Sequence, residues 1–127
     1  MKIAIISSED FNPVYMVKNY IDAVKFHSRP FAGYDAEYDE HITFMTGVNT
    51  LIDAVGSVKA SMEGFDVKAV TPKQEPNESK RNRMLIEEAD KVIFFWNNKN
   101  DNVKRAIDFA LSIEKTIEVY FDKTGKE

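Results

Sequence analysis

The sequence predicts an α/β fold: a single doubly wound sheet of five parallel strands, in the order 3-2-1-4-5, with helices on both faces. Three observations lead there. Strand-like apolar runs alternate with helix-periodic segments along the whole chain, which is the pattern of successive βαβ units. Two of the runs, Lys2-Ile3-Ala4-Ile5-Ile6-Ser7 and Lys91-Val92-Ile93-Phe94-Phe95-Trp96, are apolar almost throughout, as central strands covered on both faces must be. Right-handed crossovers then put the first strand in the middle and reverse the winding between strands one and four.

The first strand ends in the polar Ser7-Ser8-Glu9-Asp10. Asn12 is placed to cap a helix with Pro13 at its first position, and Val14, Val17, Ile21 and Val24 recur at helical spacing as its buried stripe. From Phe26 to His41 aromatic residues alternate with acids, in a connection long for an α/β unit. Both histidines, His27 and His41, stand at its ends. A surface loop, a lid, a dimer contact and a metal site of the two histidines with nearby carboxylates are all open readings, although no recognised ligand spacing supports the last.

Ile42 to Thr46 is the second strand. It turns through Gly47 into a helix where Thr50-x-x-Asp53 has the form of a capping box. Leu51, Ile52, Val55 and Val58 are expected on the apolar side of that helix, which ends near Gly64. Phe65 to Val70 supplies the third strand, and a polar loop bracketed by Pro72 and Pro76 follows. The next helix runs from about Glu78 to Ala89 and opens with Lys80-Arg81-Asn82-Arg83. Cations are disfavoured where the helix dipole is already positive, so these either serve a site or reach out to Glu75, Glu78 or Glu87. After the fourth strand and Asn97-Asn98-Lys99-Asn100, a helix from Asp101 is expected to bury Ala106, Ile107, Ala110, Leu111 and Ile113. Thr116 to Phe121 forms the fifth strand, at an edge, and 122–127 is a charged tail.

At 127 residues the chain suits one domain, 1–127, able to bury roughly two thirds of its unfolded surface. A 43% hydrophobic and 30% charged composition is that of a soluble globular protein. No apolar run reaches membrane-spanning length, and Met1-Lys2 leads into a strand rather than a signal peptide. The absence of cysteine excludes disulfides and thiolate metal sites, and suits a reducing compartment. The cytoplasm is therefore the expected location, with no metal and no cofactor beyond a nucleotide-like ligand. A formal charge of -4 argues against duplex nucleic acid as a partner. The high Asn, Lys and Ile usage is what an AT-rich genome, a phage's for instance, would encode.

Ligands of doubly wound sheets bind at the carboxyl ends of the strands, beside the reversal point. That rule gathers Ser7 and Ser8, then Thr46, Gly47, Val48 and Asn49, then Trp96 and Asn97. Arg81, Asn82 and Arg83 are expected to approach from the side. Hydroxyls, amides, free N–H groups at a strand-to-helix turn and guanidinium groups suit a phosphate. Trp96 would either stack on a base or belong to the core or a dimer interface.

The order KIAIISSEDF, ITFMTGVNTLIDAVG, ESKRNRMLIEEADKVIFFWNN and a closing helix plus strand resembles the SLOG superfamily of Rossmann-like domains. It is most similar to the YspA-like branch, related to the DprA and Lonely Guy proteins. The likeness spans Lys2 to about Phe121. Its most specific part is Arg81-Asn82-x-Met84 with Glu88-Ala89-Asp90-x-Val92-Ile93-x-Phe95-Trp96. The resemblance implies a nucleotide or related small ligand, and in some members cleavage of nucleoside monophosphates at the N-glycosidic bond. By motif it implies ligand contacts at Ser7 and Ser8, at Gly47, Asn49 and Asp53, and at Arg81 and Asn82. A homo-oligomer is expected as well.

The family's second motif usually has two glycines and an arginine; Met45-Thr46-Gly47-Val48-Asn49-Thr50 has one glycine and no arginine. The family's phosphate-wrapping Gly-Thr pair corresponds to Asn102-Val103, and the glutamate of its hydrolases to Ala106. The sequence is therefore read as a binding or sensing domain for a nucleotide or nucleotide-derived ligand. The alternatives are a nucleoside monophosphate N-glycosidic hydrolase, with Glu9 and Asp10 as its acids and Asp53 nearby, and a ligand-free protein-interaction module.

Overall fold

In the computed structural model the described residues are 1–28, 41–47, 50–71 and 73–122. Expectations that fall on 29–40, on Val48 and Asn49, on Pro72 and on the tail beyond Asp122 lie outside them. The chain runs β1 (Lys2–Ser7), α1 (Val14–Ser28), β2 (Thr43–Thr46), α2 (Leu51–Met62), β3 (Asp66–Ala69), α3 (Glu78–Glu88), β4 (Lys91–Trp96), α4 (Asp101–Ser112) and β5 (Thr116–Phe121). The five strands form one sheet in the order β3-β2-β1-β4-β5, and every pairing is parallel. This is the expected doubly wound α/β sheet.

Alternation along the strands divides the core. Ile3, Ile5, Phe44, Ile93 and Phe95 meet Val17, Ile21, Val24 and Ile52 of α1 and α2 on one face. Ala4, Ile6, Met45, Val92 and Phe94 meet Leu85, Ile86, Val103 and Ala110 of α3 and α4 on the other. Because both faces are covered, β1 and β4 can be apolar at successive positions.

The structure shifts several boundaries and faces. Helix α1 opens at Val14, with Pro13 just outside it and the Met16 N–H donating to the Pro13 carbonyl (3.1 Å). It continues to Ser28, so His27 lies in its last turn rather than at the start of a loop. Helix α2 buries Ile52, Asp53, Gly56 and Ala60, whereas Leu51 and Val58, expected inside, are 48% and 60% exposed. Helix α4 buries Val103, Ala106 and Ala110, and Leu111 and Ile113 face solvent. Both helices seat on their small residues, which allow close approach. At Gly56 an added Cβ would lie 3.2 Å from Val17 Cγ2 and 3.5 Å from Ile5 Cδ1.

The C-terminal ends of α1 and α2 are joined by ions. Lys25 Nζ is 2.8 Å from Glu63 Oε1, and Lys59 Nζ lies 2.9 Å from Glu63 Oε2 and 2.8 Å from Asp22 Oδ1. The Lys25 ammonium, followed by that of Lys59, lowers the Glu63 carboxyl from 4.5 to about 2. A carboxyl depressed in the folded state stabilises above its unfolded pKa, and that contribution is lost as pH falls through the folded value. Glu63→Gln should therefore flatten the dependence of melting temperature on pH between 4.5 and about 2, measured by thermal denaturation across that window. An unchanged slope would remove Glu63 from the acid response.

Candidate functional site

Ser7, Ser8, Thr46, Gly47 and Asn97 stand at or just beyond the carboxyl ends of β1, β2 and β4, which are neighbours in the sheet. Ser7 Oγ lies 2.6 Å from Thr50 Oγ1, and that Thr50 oxygen accepts the Asp53 N–H (3.0 Å) as the cap of α2. Thr46 Oγ1 is 2.9 Å from Ser57 Oγ.

Across the reversal point the Ser8 N–H donates to the Phe95 carbonyl (2.9 Å) and the Asn97 N–H to Ser8 Oγ (3.1 Å). Asn97 Oδ1 accepts from Ser8 Oγ, the Lys99 N–H and the Asn100 N–H, while its Nδ2 donates to Asp10 Oδ1 (2.5 Å). Asn97 thus knots the turn between β4 and α4, and Asp10 acts as a turn former. Glu9 and Asp10 are both exposed. Trp96 donates its indole N–H to the Asn100 carbonyl (3.1 Å) and packs beside Phe121, with ring centroids 5.9 Å apart. Its ring belongs to the α4 side of the core.

Arg81 is 5% exposed. Its Nη1 donates to the carbonyls of Glu75 (2.6 Å) and Pro76 (2.9 Å), so it fastens the preceding loop to α3. Two of the three carboxylates expected to attract the cations are engaged otherwise: Glu75 accepts the Asn77 N–H and Glu78 the Asn102 amide. Among the described residues none of Lys80, Arg81 and Arg83 pairs with a carboxylate.

Asn82 and Arg83 instead line a notch of about 50 Å³ between α3 and α4, facing Asn102 and Arg105. Such a space accommodates roughly three waters, hence one phosphoryl-sized group. The Arg83 guanidinium lies 4.9 Å from the centre of the Phe109 ring, a cation–π contact that fixes its direction. Arg105 Nη1 donates to Asn102 Oδ1 (2.7 Å), and Asn102 Nδ2 donates to Glu78 Oε1 (3.0 Å). Two guanidinium groups thus border one notch, with Glu78 as the carboxylate reached through Asn102. Ser79 and Asn102 are the second residues of their helices, whose first turns add positive potential. Chemically this is a donor-rich pocket suited to an oxyanion.

Arg105 has no place in the expected site. Its spacing from Asn102, Ala106 and Phe109 along α4 held the only signal, since those residues share one helical face. The two histidines lie in opposite halves of the molecule. His41 Nε2 is 2.7 Å from Asp66 Oδ2 of β3, while His27 lines a cavity with Lys91 and Glu118 of β4 and β5. Among the described residues no three His, Cys, Asp or Glu side chains gather to hold a metal.

Compared with known proteins, the chain matches no family model and no curated protein.

Proposed function

We propose that the protein binds a small anionic ligand of the nucleotide class, with the phosphoryl group held between Arg83 and Arg105. The observation that carries this reading is the notch itself. Two arginines without carboxylate partners among the described residues, amides on both sides and the first turns of two helices all converge on a space the size of one phosphoryl group. The resemblance to SLOG domains supports it too, because their phosphate-wrapping Gly-Thr pair corresponds to Asn102-Val103, at the start of α4. Arg81 is left out, its Nη1 being engaged by the loop carbonyls.

The test is a thermal-shift and calorimetric screen with AMP, ADP-ribose and cyclic dinucleotides. Adenosine serves as the phosphate-free control and sulfate as the control for generic anions. A ligand at a hundred times its Kd adds about 2.7 kcal/mol to stability, which a melting curve resolves. Phosphorylated compounds should stabilise and adenosine should not. Arg83→Ala and Arg105→Ala should each weaken binding about tenfold or more, as loss of one charge-assisted hydrogen bond implies. No stabilisation at millimolar ligand, or equal binding by the double variant, would overturn the assignment.

A further inference from the structure

Lys91 of β4 and Glu118 and Tyr120 of β5 face α1, while the opposite face of the same two strands carries Val92, Ile117 and Val119. Lys91 Nζ is 2.5 Å from Glu118 Oε2, with side-chain exposures of 12% and 37%. The Tyr120 hydroxyl donates to Glu118 Oε1 (2.6 Å). Well-packed apolar residues in place of a sheltered ion pair are often neutral or stabilising, so the fold alone does not require these two. An open cavity of about 180 Å³ lies over them. Helix α1 supplies its other wall through Tyr20, Ala23, Val24 and His27, which share one helical face. Among the described residues no helix follows β5 to close it.

We propose that this cavity is a second ligand site, for a neutral planar heterocycle with a lactam edge, the chemistry of a free oxopurine or oxopyrimidine base. Size, charge and spacing select it. A cavity of about 150 Å³ admits benzene, whereas sites for larger ligands start at about 300 Å³. One ring or two fused rings therefore fit, and a whole nucleotide does not. The Lys91 ammonium and the Glu118 carboxylate neutralise each other, which leaves a charged ligand no net attraction. Both groups have hydrogen-bonding capacity beyond their mutual contact, so together they present a donor beside an acceptor. In a lactam the carbonyl oxygen and the N–H nitrogen are about 2.2 Å apart, given bonds of about 1.23 and 1.33 Å. That separation nearly matches the 2.5 Å between Lys91 Nζ and Glu118 Oε2. Two bonds can then form side by side, the ammonium donating to the carbonyl and the lactam N–H to the carboxylate. Burial pushes the Glu118 carboxyl up, but its bonds to Lys91 and Tyr120 outweigh that and hold it below the ordinary value, ionised and accepting. The rings of Tyr20 and Tyr120, 6.2 Å apart, give the cavity an aromatic wall against which a flat ligand packs. The cavity lies across the sheet from the Arg83–Arg105 notch and does not depend on it.

Ligand-observed NMR and calorimetry on the full chain with uracil and hypoxanthine test the assignment. The comparison compounds are 1,3-dimethyluracil, which lacks the lactam N–H, and alanine, a zwitterion. Uracil or hypoxanthine should bind, and the dimethyl compound at least about tenfold more weakly, since a hydrogen bond to a charged group is lost. Lys91→Met combined with Glu118→Leu should weaken binding of the bases by that factor or more. Ala23→Phe fills the cavity from an exposed position on α1 and leaves the ion pair in place. It should weaken binding alike, and it serves if the paired variant folds poorly. Leu111→Ala, on α4, should bind as wild type does. No binding of either base at millimolar concentration, equal binding of 1,3-dimethyluracil, alanine bound in preference to the bases, or unchanged affinity in both variants would overturn the proposal.

Discussion

Arg81→Ala should lower the free energy of unfolding by about 3 kcal/mol, since each hydrogen bond from a charged donor is worth about 1.5–3 kcal/mol and the two share one nitrogen. The guanidinium is almost wholly buried, at 5% exposure, and holds two consecutive carbonyls, those of Glu75 and Pro76. Its removal leaves those oxygens to water on a loop that then has less reason to stay against α3. Arg81→Lys should recover part of the loss, because an ammonium keeps the charge but not the planar fork. Arg83→Ala gives the contrast: it forfeits a cation–π contact with Phe109, about 0.5–1 kcal/mol at an exposed site. Urea denaturation separates the two by their midpoints. An Arg81→Ala midpoint equal to wild type would mean that the buried guanidinium does not support the fold.

Phe95→Ala should be costlier still, about 3–5 kcal/mol for truncating a buried phenylalanine. Phe95 is fully buried in β4. Its ring stacks on Tyr120 at 5.4 Å and meets the edge of Phe11 at 5.6 Å, so truncation opens a cavity and ends two aromatic contacts at once. The melting temperature should fall by roughly 10–20 °C, read by calorimetry. Phe95→Leu, nearer in volume, should cost less than half as much. A loss below about 1 kcal/mol on alanine substitution, outside the range for buried aromatics, would show that α1 and the sheet close over the gap.

The strands and their order were legible because the signals for them are redundant. Lys2–Ser7 and Lys91–Trp96 are apolar at successive positions, which only a sheet covered on both sides permits, and crossover handedness leaves few ways to arrange five such strands. The cap at Thr50 was equally local, a side chain meeting an N–H three residues on. Helix orientation was harder to read. Bulky Leu51, Val58 and Leu111 looked like core, yet α2 and α4 seat on Gly56, Ala60, Ala106 and Ala110, and periodicity does not say whether large or small residues face inward. The burial of Arg81 was hidden for another reason: the partners of its Nη1 are backbone carbonyls, which leave no trace in residue types. Arg105 meets its cationic neighbour across two helices, a juxtaposition that depends on how α3 and α4 pack and on nothing local to either.

The central place of β1 has a consequence for assembly of the chain. Lys2 pairs with Thr43 on one side, whereas Ile3 pairs with Lys91 on the other. β1, which precedes both its partners in the chain, therefore gains its second neighbour only once β4 has been made. Until then a row of backbone donors and acceptors along β1 stays open, and open strand edges invite pairing with other chains. Closing β1 onto β4 joins residues far apart in the chain, such as Ile3 and Lys91, so the step that completes β1 is one that sequence distance slows.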